Sequence, residues 1–194
     1  MVMESQFTAR EVARLANVTV RSVNKAVEDK IVIRIKANGS KRFALPVHAV
    51  PYVAVVDRLD VSLTLEKKRK LFKIFGARRI EEMTSTPVEI APSVTVDVAQ
   101  LVGTDLGERA EAYARAKERL IERNPDILGG TPVIRGTRMS VYAVLCRVDD
   151  GNTVEAILND YPALDRDMVE TAVIYARSNP MVGRPGGRPW EKHR

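Results

Sequence analysis

Residues 124–142, Asn-Pro-Asp-Ile-Leu-Gly-Gly-Thr-Pro-Val-Ile-Arg-Gly-Thr-Arg-Met-Ser-Val-Tyr, leave the backbone little freedom. Asn124-Pro125-Asp126 ends the helix before it, because proline fixes φ and supplies no N–H. Gly129-Gly130 forces a turn. Two short strands, 131–134 and 137–139, are expected about Arg135-Gly136, and Ser140 stands where the cap of the next helix belongs. That helix is expected over 141–149, stopping near Gly151. Thr153 caps another over 154–160, which Tyr161-Pro162 breaks. Asp165 caps a third over 166–177, ending before Asn179-Pro180. Upstream lies an alanine-rich helix, about 106–122, with Ala110, Tyr113, Lys117, Leu120 and Ile121 as its inner stripe.

The first half has a different plan. Thr8 and Glu11 make a capping box, and Val12, Leu15 and Val18 recur near helical spacing before Asn17 allows a left-handed turn. Thr19 caps a second helix whose apolar stripe is Val20, Val23, Ala26 and Val27. Its other face carries Arg21, Ser22, Asn24 and Lys25. Two short helices joined by about four residues, the second polar and basic at its start, describe a helix-turn-helix. A strand-like run at 31–36, the hairpin signal Asn38-Gly39 and a returning run at 41–45 follow as a wing. The segment resembles the winged helix of the MerR-like regulators. Arg21, Asn24 and Lys25 are candidate groove contacts, since Arg and Asn bond bidentately to guanine and adenine edges. Thr19, Ser22, Lys36, Lys41 and Arg42 are candidate phosphate contacts.

Charge supports this division. Residues 1–80 carry 17 Lys/Arg against 7 Asp/Glu, and residues 81–194 carry 14 against 18, so the net +6 divides as +10 and −4. A basic module suits phosphate contact, because neutralised phosphates release counterions. The stretch 46–60 fits either helix or strand, with helix favoured and Pro51 near its start. A basic helix over 65–75, with Lys67, Lys68, Arg69, Lys70 and Lys73, is expected to stop at Gly76; its charges suit either a solvated face or a DNA backbone. A linker is placed at 81–93, and the alternating strand 94–98 needs a partner, from a second copy or from the hairpin at 131–141. The single cysteine, Cys146, allows no internal disulfide, and the distant His48 and His193 give no metal-ligand spacing. With no signal-peptide pattern at the start and no membrane-length apolar run, a cytoplasmic, metal-free and cofactor-free protein is expected.

Over residues 123–180 the chain resembles the domain-of-unknown-function family 433. The likeness rests on Gly-Gly-x-Pro-Val-Ile-x-Gly-Thr-Arg, the Gly151 break, Tyr161-Pro162-x-Leu164 and Tyr175-Ala176 in the final helix. It implies a small helical domain preceded by a hairpin. It also implies an antitoxin of VapB type, since members commonly act beside a PIN-like ribonuclease toxin. Phosphate binding by the glycines is disfavoured, because no Lys-Ser/Thr helix follows Gly130. Catalysis by Arg135 and Arg138 is disfavoured too, for want of a nucleophile, carboxylate pair or histidine beside them. These arginines are expected to anchor the hairpin to carboxylates. The last helix opens with Asp165, Asp167 and Glu170, which DNA phosphates would repel, so DNA is assigned to the first half and assembly to the second.

The basic tail is Pro/Gly-rich and is expected to be disordered alone. Arg184 and Arg188 are candidates to reach the acidic metal site of a ribonuclease toxin, with Trp190 as anchor. The expected fold is mainly α with short β-hairpins. A winged helix-turn-helix occupies 1–80, a linker and strand 81–104, a small helix-turn-helix-like assembly domain 105–180, and the tail 181–194. The expected function is a homodimeric, non-enzymatic antitoxin that binds operator DNA, represses its own operon and neutralises a PIN-like ribonuclease. The alternative is a stand-alone DNA-binding regulator without a toxin.

Overall fold

A computed structural model describes residues 6–36 and 43–181, with Lys36 and Phe43 described by backbone alone. Thr8 caps α1 (Ala9–Ala16) through a complete capping box: its hydroxyl accepts from Glu11 N, and Glu11 Oε2 accepts from Thr8 N at 2.8 Å. Asn17 ends the helix in the left-handed conformation at φ 54°. Thr19 then caps α2 (Val20–Glu28). The apolar run after it does not become a long strand. The N–H groups of Ile31 and Val32 return to the Ala26 carbonyl, both side chains are buried, and the ladder shrinks to β1 (Ile35–Lys36) against β2 (Phe43–Ala44). Phe7 and Leu45 exchange a further antiparallel pair of hydrogen bonds, which ties the start of the chain to this hairpin.

The ambiguous stretch is a helix, α3 (Ala49–Arg58), buried over most of its surface at the centre of the core. Gly76 does not end the basic helix. α4 (Leu65–Ala77) runs through it to a cap at Arg78. The glycine serves a close approach instead: a Cβ there would lie 3.1 Å from His48 Nε2. A short helix α5 (Glu82–Ser85) leads into β3 (Val88–Ala91), which pairs antiparallel with β4 (Val94–Val96) around a turn at Ser93. The lone strand therefore finds its partner a few residues upstream, not in a second copy or in the later hairpin. α6 (Val98–Val102) and α7 (Leu106–Leu120) follow.

The expected linker carries core residues. Met83, Val88 and Ile90 belong to the same buried cluster as Phe7, Val12, Tyr52 and Phe75, and that cluster continues through Val98 and Leu106 to Ala114. A second core begins at Ile134 and holds Val141, Val144, Ile157, Val169 and Ala172. It is built from β5 (Ile121–Glu122), β6 (Val133–Ile134), α8 (Val141–Asp149), α9 (Val154–Asp160) and α10 (Arg166–Ser178). The two cores meet along α10, whose Ile174 packs on the first while Val169 and Ala172 pack in the second.

The hairpin about Arg135-Gly136 closes tightly, with Ile134 N donating to the Met139 carbonyl at 2.9 Å, yet its ladder lies elsewhere: β6 pairs with β5. Gly129, Gly130 and Gly136 all sit at positive φ, where a Cβ would be strained. Among the described residues this makes ten α-helices and three two-stranded antiparallel pairs, mainly α with short hairpins. None of those helices is long and apolar enough to cross a membrane.

Candidate nucleic-acid interface

α2 presents its outer face because its inner one is anchored. Val23 and Ala26 are buried against the core, so the 3.6-residue period turns Arg21, Asn24, Lys25 and Glu28 outward together. Among the described residues no hydrogen bond or ion pair engages the Arg21 or Asn24 side chains. The other candidates on this helix have local partners. Lys25 Nζ lies 3.0 Å from Asp29 Oδ1, one turn on. Thr19 is exposed and caps the helix, and the half-buried Ser22 hydroxyl lies 3.0 Å from Thr19 Oγ1 and donates to Asp57 Oδ1 at 3.2 Å. Ser22 therefore also ties α2 to α3. Lys41, Arg42, Arg184, Arg188 and Trp190 lie outside the described residues, as does the side chain of Lys36.

The fold adds cations that the sequence did not place. Arg69 of α4 reaches the Asp29 carbonyl at 3.4 Å, and Lys68 shares a cleft with Lys25, so the basic helix adjoins the end of α2. At the opposite end, Arg10 and Arg14 of α1 line a cleft of about 350 Å³ with Asn17, Val20 and Arg177. Arg177 comes from α10, more than 150 positions later in the chain; only packing of α10 on α1 could have revealed it. It is held there by Asp149 Oδ1 at 2.8 Å. Arg34 lines a further cleft with Asn24.

The arginines of the signature divide. Arg135 does anchor its loop, mainly to backbone: Nε donates to the Arg119 carbonyl at 2.8 Å and a terminal nitrogen to the Glu118 carbonyl at 3.3 Å, with Glu122 3.6 Å away. A cation on the last carbonyls of α7 suits that helix's negative end. Arg138 is exposed and unpartnered among the described residues. The carboxylates opening α10 are used internally: Asp165 caps the helix, Asp167 pairs with Arg119 and Glu170 with Arg166.

Residues 121–176, from β5 to the last turns of α10, match a family described as a protein of unknown function (DUF433). The chain is also 30% identical over 184 residues to the uncharacterized protein y4eO of Sinorhizobium fredii, an alignment covering 91% of this chain and 82% of that one. The chain belongs to the same family as y4eO. An alignment of that length extends well beyond 121–176, so the likeness takes in sequence from both cores of this chain. No solved structure matches the chain.

Proposed function

We propose that the chain is a DNA-binding antitoxin that represses its own operon and neutralises a PIN-like ribonuclease. In this reading α1 and α2 are a helix-turn-helix of MerR-like type and β1–β2 the base of its wing. α2 enters the major groove, where Arg21 and Asn24 read base edges. The observation that carries the DNA part is the pair Arg21 and Asn24: exposed, on one face, and without a partner among the described residues. Thr19, Lys25, Lys68 and Arg69 flank them as phosphate contacts. Lys36, Lys41 and Arg42 are assigned as further phosphate contacts on their charge alone. The toxin part rests on the resemblance to family 433, with Arg184, Arg188 and Trp190 as the inhibitory arm. Two half-sites roughly 34 Å apart require a homodimer.

Two experiments test the parts separately. A reading frame adjacent to this one, expressed alone, should arrest growth, and co-expression of the chain should restore it; a harmless neighbour leaves the stand-alone regulator as the better account. In an operator shift assay, Arg21→Ala with Asn24→Ala should abolish specific binding while toxin neutralisation persists. Loss of both activities together would overturn this division of labour.

A further inference from the structure

Behind α2 lies a cleft of about 320 Å³ whose rim lysines, Lys25 and Lys68, the proposed function turns to phosphates, while its apolar interior has no part in that function. Its floor is apolar, from Ile31, Val53 and Val56, and it lies within the size range of small-molecule sites. Tyr52 lines it from α3 and is only 1% exposed, its ring set edge-on against Phe72 at 5.3 Å. Among the described residues no protein acceptor meets the Tyr52 hydroxyl, and the oxygen is not sealed from solvent, so it opens on the cleft. A tyrosine hydroxyl that opens on a cleft donates to whatever occupies it, water or a ligand acceptor, and so can serve as a recognition group there. Burial, with the Asp29 carboxylate nearby, raises its pKa well above the ordinary phenol value, so it stays a donor.

The charges around the cleft narrow the ligand class. Lys25 and Asp29 satisfy each other at 3.0 Å. That leaves the Lys68 ammonium, which has no ion-pair partner among the described residues, and the Asp57 carboxylate, of which Oδ1 accepts from Ser22 and Oδ2 has no donor there. One free cation, one free anion, a hydroxyl donor and an apolar floor match a zwitterion with an apolar substituent. We propose that the cleft binds a small apolar α-amino acid: its carboxylate on Lys68 and the Tyr52 hydroxyl, its ammonium on Asp57, and its side chain on Ile31, Val53 and Val56. A simple carboxylate would leave Asp57 unanswered, and a simple amine would leave Lys68 and Tyr52 so.

The occupant bridges α3 and α4 beside Ser22 and Lys25 of α2. If α2 reads DNA, the site makes operator binding responsive to an amino acid; only that consequence rests on the function proposed above. Binding itself is tested directly, by calorimetry on the full chain with L-valine, L-leucine, L-methionine and L-phenylalanine. The comparators are 4-methylpentanoate, which lacks the ammonium, and 3-methylbutylamine, which lacks the carboxylate. Saturable one-to-one heat is expected with at least one amino acid, and the comparators of leucine should bind about tenfold more weakly or worse than leucine itself. Tyr52→Phe keeps the ring and should unfold at the wild-type temperature, since its hydroxyl holds no protein partner, yet weaken binding about tenfold. Absence of saturable heat across the four amino acids overturns the proposal. So does a comparator matching leucine, or a folded Tyr52→Phe that binds as the wild type does. A failed operator assay leaves the calorimetric result standing.

Discussion

Glu11 shows how much one residue can be asked to do. The sequence marks it as the third position of a capping box, an ordinary surface role. In the fold it is 2% exposed: Oε2 accepts from Thr8 N, while Oε1 accepts from the Tyr113 hydroxyl at 2.9 Å and Lys117 Nζ at 3.0 Å. One carboxylate thus caps α1 and joins it to α7. Removing a single partner of such a buried pair leaves the other charge uncompensated, so Glu11→Ala should cost about 3–5 kcal/mol. Urea unfolding would measure this, and a loss below about 1 kcal/mol would show the pair to be idle. His48 makes a second prediction, in pH. Burial, against Phe72 at 4.6 Å, lowers its pKa from the ordinary 6.5. The unfolded chain then binds the proton first, so stability is full above pH 6.5 and falls as pH drops toward the folded value. His48→Phe should flatten the slope between about pH 7 and 5 in melts run across that range; an unchanged slope would assign it to other groups.

At the scale of elements, caps were legible and partners were not. Thr8, Thr19, Ser140, Thr153 and Asp165 all accept from the backbone where the sequence places them, because a cap is decided within four residues. Gly76 misled for the complementary reason: a helix-ending glycine and one that lets a distant ring approach look alike in sequence. Gly107 is a clearer case of close approach. A Cβ there would lie 2.9 Å from the Ile80 carbonyl oxygen, a backbone atom that cannot swing aside. Gly107→Ala should therefore destabilise by about 1–3 kcal/mol despite alanine's better helix propensity. A rise in thermal midpoint would mean that α7 shifts to make room.

Across the whole molecule, the charge asymmetry suggested a basic module that ends near residue 80. The first core does not end there: Met83, Val88, Ile90, Val98, Leu106 and Tyr113 complete the cluster around Tyr52 and Phe75. A fragment of residues 1–80 should consequently lack a cooperative urea transition and a native near-ultraviolet spectrum, while the full chain has both. A sharply unfolding fragment would restore the boundary. The same packing bears on the candidate interface. Arg21 and Asn24 were readable because helical period alone sets which face they share, whereas Arg177 and Lys68 reach α2 and its turn only through contacts between distant segments.

The sequence by itself determined the mainly helical class, the caps, the tight signature turn and the candidate face of α2, since each follows from residue types within one or two turns of chain. The tertiary structure decided where the first core ends, which strand pairs with which, and what surrounds Tyr52 and Glu11. Those depend on side chains about a hundred positions apart in the case of Glu11 and Tyr113, and burial brings such residues together by a non-directional force that leaves no local pattern to read.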